Sequence, residues 1–310
     1  LSDKIDEMNA GGMTDLTNNG SSWKERRKNY FGRVSYNYLE RYLLEFVWRV
    51  DGSYRFPKEK RYGFFPGVSA AWRVSEEEFW KENMNFVEYF KLRGSVSQTG
   101  NDALLDADGN YDQSVQYLNT FGFTDSYIFG TTENTRLYPT RTPNPNITWE
   151  RGTTYNLGFD FKFLNSKLTW ESDLFYHKRT HMLISRNASL PEISGITLPR
   201  ENLGEMENKG FETMIGYSDK IGDFEYDLSV NGTYAINKIL FWDETPGIPE
   251  YKKSTDRPVG SALYYVSDGV FNDQAEIDGY PHWSGAVPGD IKFKDINNDG
   301  KINADDQMRR

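Results

Sequence analysis

The strongest constraint in this sequence is the strict alternation across residues 41–53, RYLLEFVWRVDGS. Tyr42, Leu44, Phe46, Trp48 and Val50 share one parity; Leu43, Glu45, Val47, Arg49, Asp51 and Ser53 share the other. A period of two is the repeat of a β-strand, and here it separates two environments. The residues just before repeat the pattern, with Gly32, Val34, Tyr36 and Tyr38 opposed to Arg33, Ser35 and Asn37. Leu39-Glu40 between the two runs is short enough for a hairpin. A soluble sandwich alternates in this way with its apolar face in a core. A membrane barrel does so with the apolar face in lipid and the polar face toward a wet lumen.

Composition narrows the choice only partly. The 310 residues suffice for two ordinary domains or one large β unit. No run approaches the roughly 18–20 apolar residues of a membrane helix, which leaves barrels open, because half of each barrel strand is polar. Aromatics are 15% of the chain, with 20 Tyr, 20 Phe and 8 Trp, a supply suited to membrane girdles or to sugar stacking. The absence of cysteine excludes disulfides, Cys-ligated zinc and thiol catalysis. A formal charge of -10 without a basic cluster makes nucleic acid an unsuitable partner. The first residue is Leu1 and the last is Arg310 in mid-pattern, so the chain reads as a piece of a longer protein.

Taken in order, residues 1–30 read as a loop and residues 31–237 as eight strands. Residues 238–310 read as a further loop region. Strands are expected near Gly32–Tyr38, Tyr42–Val50, Phe64–Val74, Phe86–Gln98, Trp149–Phe163, Leu168–Tyr176, Phe211–Tyr217 and Phe224–Ile236. Asp51–Gly63 is expected to be a solvated loop. Ser75 with Glu78 is expected to form a capping box at the start of a short helical turn. Connections alternate between short (Leu39-Glu40, Glu76–Asn83, Asn165-Ser166, Lys220–Asp223) and long (Asp51–Gly63, Thr99–Ile147, Arg179–Met206, Lys238 onward). Up-and-down strands place every second connection at the same end. The sorting therefore predicts long loops outside and short turns inside an outer membrane. A strand of about 10 residues tilted 45° spans about 23 Å, near the ~25 Å apolar band of such barrels.

Six stretches carry a resemblance. RVSYNYLERYLLEFVWRVDGS, FFPGVSAAWRVSEEEF, YFKLRGSVSQTGN, ITWERGTTYNLGFDF, NLGEMENKGFE and PGDIKFKDINNDGKINADDQ occur in that order. Together they resemble the SusC/RagA-like branch of TonB-dependent outer-membrane transporters of Bacteroidetes. One departure is Arg49-Val50 before the DGS, where that family usually has two arginines. The resemblance implies an all-β, antiparallel, up-and-down transmembrane barrel of the 22-stranded, plugged type, of which this chain carries about eight strands. It also implies a SusD-like surface lipoprotein as lid, and TonB as energy source through parts outside this chain.

Three groups of residues are candidate sites. Asp295, Asn297, Asp299, Lys301, Asn303 and Asp306 fit an EF-hand loop, with oxygen ligands at positions 1, 3 and 5 and Gly300 at the sharp turn. Lys301 offers its carbonyl, and Asp306 closes the loop in place of the usual Glu. Three carboxylates suit Ca²⁺ better than Mg²⁺; the competing reading is an Asn/Asp/Gly turn that binds nothing. Trp242, Tyr251, Tyr264, Tyr265, Tyr280 and Trp283 are placed to stack on sugars or, as loop aromatics commonly do, to pack within the loops. Glu45, Arg49, Asp51, Arg93, Asp160, Glu171 and Asp173 are expected to line the lumen, guiding substrate, contacting a plug or only solvating the wall.

Catalysis has no motif behind it. The only histidines are His177, His181 and His282, and HExxH, GxSxG and a phosphate-binding Gly loop are all missing. The chain is expected to be non-enzymatic, and the resemblance implies a barrel segment importing a large nutrient across the outer membrane. An oligosaccharide is the first expectation and a peptide the alternative. A soluble Ca²⁺-dependent carbohydrate-binding β protein is the reading from a different class.

Overall fold

Eight strands pair in the order β1-β2-β3-β4-β7-β8-β9-β10, each antiparallel to its neighbour. They are β1 (Arg27–Tyr38), β2 (Tyr42–Ser53), β3 (Tyr62–Arg73), β4 (Val87–Asn101), β7 (Glu150–Phe163), β8 (Leu168–Ile184), β9 (Glu201–Ile221) and β10 (Phe224–Phe241). The structure is a computed structural model describing residues 24–84, 86–103, 115–130, 132–186 and 199–310. Most of the expected loop 1–30 lies outside the described residues, and β1 begins at Arg27. No helix among them is long and apolar enough to cross a membrane.

The register puts the two parities on two faces throughout. Val34 lies beside Phe46, Phe46 beside Val68, and Val68 beside Val96. Val96 lies beside Tyr155, Tyr155 beside Tyr176, Leu174 beside Phe211, and Phe211 beside Tyr234. This apolar face stays open, with Val34 64%, Leu44 51%, Leu228 64% and Val230 75% exposed. A soluble sandwich would bury such a face. Eight strands presenting it outward form a lipid-facing wall.

Aromatic rings bound the wall. At the end bearing the short turns, Tyr38 stacks near Tyr42, and Tyr42 near Trp72. Trp80 meets Phe90, Phe90 stacks on Phe161 at 4.5 Å, and Phe161 stacks on Trp170. Toward the other end, Tyr155 meets Tyr176 and Phe211 meets Tyr234. Just beyond, the same face turns charged in one row, with Lys178 and Lys238 each paired in register with Glu207. From Tyr226 to Ile236 a strand tilted 45° rises about 24 Å, the height of an outer-membrane apolar band.

Several expectations change. β8, β9 and β10 run well past the apolar band, so Arg179, Met206 and Lys238 are strand residues, because the ladder continues into water where polar side chains cost nothing. Residues 99–147 contain a separate hairpin of β5 (Thr120–Phe129) and β6 (Thr132–Arg141). The length sorting is inverted at one pair. The connection 54–61 is shorter than 74–86, because Gly52 still pairs with Tyr62 whereas β3 and β4 separate after Arg73. The gap after Arg73 holds α1 (Glu78–Asn83). The Ser75–Glu78 capping box does not form. Val74–Glu76 winds as a 3-10 turn, Glu77 becomes the N-cap, and the Ser75 hydroxyl is buried without a partner.

Residues 242–310 form a small region above β8–β10. It contains β11 (Leu263–Tyr265), β12 (Ser267–Val270), α2 (Gln274–Asp278), β13 (Ile291–Phe293) and β14 (Gln307–Arg309). β11 pairs with β14, and β12 with β13.

Candidate functional site

The polar face of the wall carries the expected charged residues, and most are paired with one another. Glu45 accepts from Arg33 and Ser35. Arg49 Nη2 donates to Asp51 Oδ1 at 3.0 Å on the same strand. Arg93 on β4 is the hub. Its Nε donates to Asp160 Oδ1 on β7 at 2.9 Å, and its Nη1 and Nη2 take both oxygens of Asp173 on β8. Lys91 adds a second cation 3.4 Å from Asp160. Glu171 shares this parity. Held by charge-assisted, partly bidentate bonds, these groups form a rigid inner wall.

Above the ladder on the same side, Phe56, Phe65, Ile147 and Trp149 make a small core, with Tyr117 and Leu183 against it. Phe56 is fully buried and lies 5.0 Å from Trp149. Ser53 and Arg55 are buried beside it; Ser53 donates to Asp102 Oδ2 at 2.7 Å. The expectation of a solvated loop over Asp51–Gly63 is therefore corrected. Its charged residues hid one aromatic, Phe56, that clusters with Ile147 and Trp149 from the connection before β7 and with Phe65 of β3. The sequence signal was the one phenylalanine in that charged stretch, between Arg55 and Pro57.

The six aromatics do not form one surface. Tyr265, Tyr280 and Trp283 pack into a ring cluster with Phe271 and Phe293, at centroid distances of 5.1–6.3 Å. Burial and Asp268 push the Tyr280 phenol up. Tyr251 donates its hydroxyl to the Asp305 carbonyl, and Tyr264 is 59% exposed on β11. Trp242 lines a cavity of about 230 Å³ between β8–β10 and the loop region. Arg309 also lines it; no sequence pattern marked that residue.

The Asp loop has the turn that the motif requires, with φ +80° at Gly300 and +59° at Asn298. Its carboxylates face the loop's own amides. Asp295 accepts from the N–H groups of Asp299 and Gly300, and Asp299 from that of Lys301. Asn297's side-chain amide is the first cause holding the Asp299 carboxyl below its usual range. Asp306, fully buried, accepts from Ile296 and Asn303. Asn303 caps the following 3-10 turn. No three carboxylate or imidazole groups among the described residues are grouped as a metal cage. Yet among the described residues no salt bridge reaches Asp295, Asp299 or Asp306, and Asp306 is a buried carboxylate, costly without a cation. The donor set and turn fit a hard cation; the side-chain rotamers are those of amide acceptors.

Comparison with known proteins agrees with this geometry. The family described as "TonB dependent receptor-like, beta-barrel" matches residues 3–304. TonB-dependent receptor P3 of Formosa agariphila is 29% identical over 89% of this chain and 28% of that protein. TonB-dependent receptor SusC of Bacteroides thetaiotaomicron is 35% identical over 68% of this chain and 20% of that protein. Among solved structures, that of the RagAB peptide transporter superposes with a TM-score of 0.71 at 20% identity, covering all of this chain and 33% of that one. The chain thus spans less than a third of the length of these curated relatives.

Proposed function

Because the chain belongs to the TonB dependent receptor-like β-barrel family, we propose that it serves as part of the wall and outer rim of an energised importer of a large nutrient across the outer membrane. The observation that carries this reading is the single apolar face across eight strands, backed by a polar face of paired charges. A lipid-exposed wall enclosing a charged lumen suits passage of a polar solute. TonB supplies the energy in this reading, through parts outside these residues, and a SusD-like surface lipoprotein lids the outer end.

The oligosaccharide expectation rests on the loop aromatics. Tyr265, Tyr280 and Trp283 are engaged in packing, which leaves Tyr264 and Trp242 to support sugar stacking. The peptide alternative is favoured by a different observation, the chiefly apolar lining of the cavity at Trp242 with one arginine in it. Calcium belongs to this proposal as a structural ion. Asp295, Asn297, Asp299, Asn303 and Asp306 with the Lys301 carbonyl would hold it, and its charge would offset three carboxylates that no salt bridge reaches among the described residues.

Uptake by cells carrying the full-length protein tests the import reading. Growth on a mixture of oligosaccharides or peptides should require both this protein and TonB. Uptake unaffected by deletion of either would overturn it.

A further inference from the structure

The cavity beside Trp242 is built on two sides by strands and on the third by the chain's own loop. Met206 and Ile239 carry the inward parity of β9 and β10, and Met182 lies in register with Gly204. Glu205, Trp242, Ser254, Val259, Ser261 and Arg309 also line the about 230 Å³ space. The loop is fastened along the top of β10. Ile239 N–H donates to the Arg257 carbonyl at 2.9 Å, and Asp256 N–H to the Ile239 carbonyl at 2.8 Å. Val259 N–H donates to Asn237 Oδ1 at 2.6 Å. These bonds make the space a formed pocket, closed along the β10 edge.

Arg309 gives the pocket its polarity. Its Nε donates to the Lys252 carbonyl at 3.0 Å, and its Nη1 to the Ser261 carbonyl at 2.8 Å. Nη2 has no hydrogen bond among the described residues. A guanidinium fixed at two nitrogens, with the third free, is an oriented donor for a carbonyl or carboxylate oxygen. The rest of the lining presents chiefly apolar atoms, from thioether, branched aliphatic and aromatic side chains, with Glu205, Ser254 and Ser261 as its polar members. Such walls pack well against an apolar side chain. A hexose would bury several of its hydroxyls against Met182, Met206, Ile239 and Val259, which offer them no hydrogen bond.

We propose that this pocket takes one apolar amino-acid side chain of a peptide, with an adjacent carbonyl or terminal carboxylate accepting from Arg309 Nη2. The proposal rests on the import reading, in that the incoming nutrient passes the outer rim where the pocket sits. It narrows the nutrient class to peptides.

Photolabelling of the intact, detergent-purified protein with its bound partners tests it. The probe is N-acetyl-Gly-photoleucine-Gly-amide, with adducts mapped by mass spectrometry. Label is expected on residues 204–206 or 239–242, competed by N-acetyl-Gly-Leu-Gly-amide and not by maltohexaose. Trp242→Ala and Arg309→Gln should each lower it about tenfold, while Trp242→Phe, which keeps an aromatic wall and should fold like the parent, retains it. Label confined to other segments, equal competition by maltohexaose, or undiminished label in both loss variants overturns the pocket. Peptide uptake measured in parallel separates the two readings. Uptake without pocket labelling sinks the pocket alone, and absent uptake with pocket labelling sinks the import reading.

Discussion

Arg93 on β4 crosses Gly158 on β7 to reach Asp173 on β8, with Nη1 3.1 Å from Oδ1 and Nη2 2.9 Å from Oδ2. The three residues lie in one register row. A Cβ at position 158 would sit 2.5 Å from Asp173 Oδ1 and 2.7 Å from the guanidinium, so only glycine leaves the passage open. Arg93→Ala should cost about 2 kcal/mol in the thermal or urea unfolding of the detergent-solubilised barrel, because it strands the Asp173 carboxylate and leaves Asp160 to Lys91 alone. Gly158→Ala should lose a similar amount without removing any charge. A Gly158→Ala variant as stable as the parent would show that the bridge contributes nothing.

The orientation of the wall makes a within-strand prediction. Phe46→Arg and Leu228→Arg place a charge in lipid and should cost about 2–4 kcal/mol near the midplane. Asn231→Arg, on the opposite parity of β10, should cost little. Heat-modifiable, folded protein in outer-membrane fractions is the readout. Normal levels for both lipid-face variants would reverse the assignment of faces.

Phe56 tests the rim core. Removal of its ring leaves a cavity against Trp149 and should destabilise the site by about 3–5 kcal/mol. The effect should be local, with faster proteolytic cleavage within residues 54–61 and an unchanged transition for the barrel. Cleavage at the parental rate would mean that the loop is held by something else.

The wall was legible in the sequence because a period of two needs only local parity, and each strand repeats it. Phe46, Leu174 and Leu228 fall on the apolar face on that count alone. Arg93, Asp160 and Asp173 could be placed on the polar face, but their meeting depends on the register of three strands and on Gly158, which carries no side-chain signal. The strand ends at Arg179 and Met206 carry no such signal. Lipid imposes the alternation, and beyond it the ladder continues with charged residues on both faces. Phe56 and Trp242 depend on how separate loops fold together, information spread over about a hundred residues of chain. Tyr265, Tyr280 and Trp283 show the same limit, since composition does not distinguish an aromatic that packs from one that waits for a ligand.

Glu276 on α2 sets a pH limit for the loop region. Its carboxylate accepts the Asn272 N–H at 2.9 Å and the Lys292 ammonium at 2.7 Å, and these hold its pKa down to about 2. A carboxyl depressed in the folded state contributes stability that is fully present above its unfolded value near 4.5. That contribution is lost as pH falls toward 2. Hydrogen exchange of residues 272–292 should therefore be unchanged from pH 7 to 5 once corrected for intrinsic rates, and accelerate below pH 4. Glu276→Gln should exchange faster at pH 7 and lose that step. A parental profile in the variant would remove Glu276 from the account.

Calcium makes the last prediction, from the three carboxylates of residues 295–306. If they close around the ion, Asp306 must share its oxygens between cation and the Ile296 and Asn303 amides, so binding should tighten a turn that is already formed. Linkage gives a stabilisation of about 2.7 kcal/mol at a calcium concentration one hundred times the dissociation constant. Tyr251 and Lys252 both bond to Asp305, so protection should extend to residues 250–252. Limited proteolysis with calcium and with chelator should show slower cleavage in both segments when calcium is present. Asp295→Ala should abolish the difference while leaving the barrel's heat-modifiability intact. Equal cleavage with and without calcium in the parent protein would make the segment a plain Asn/Asp/Gly turn, held by its own amides.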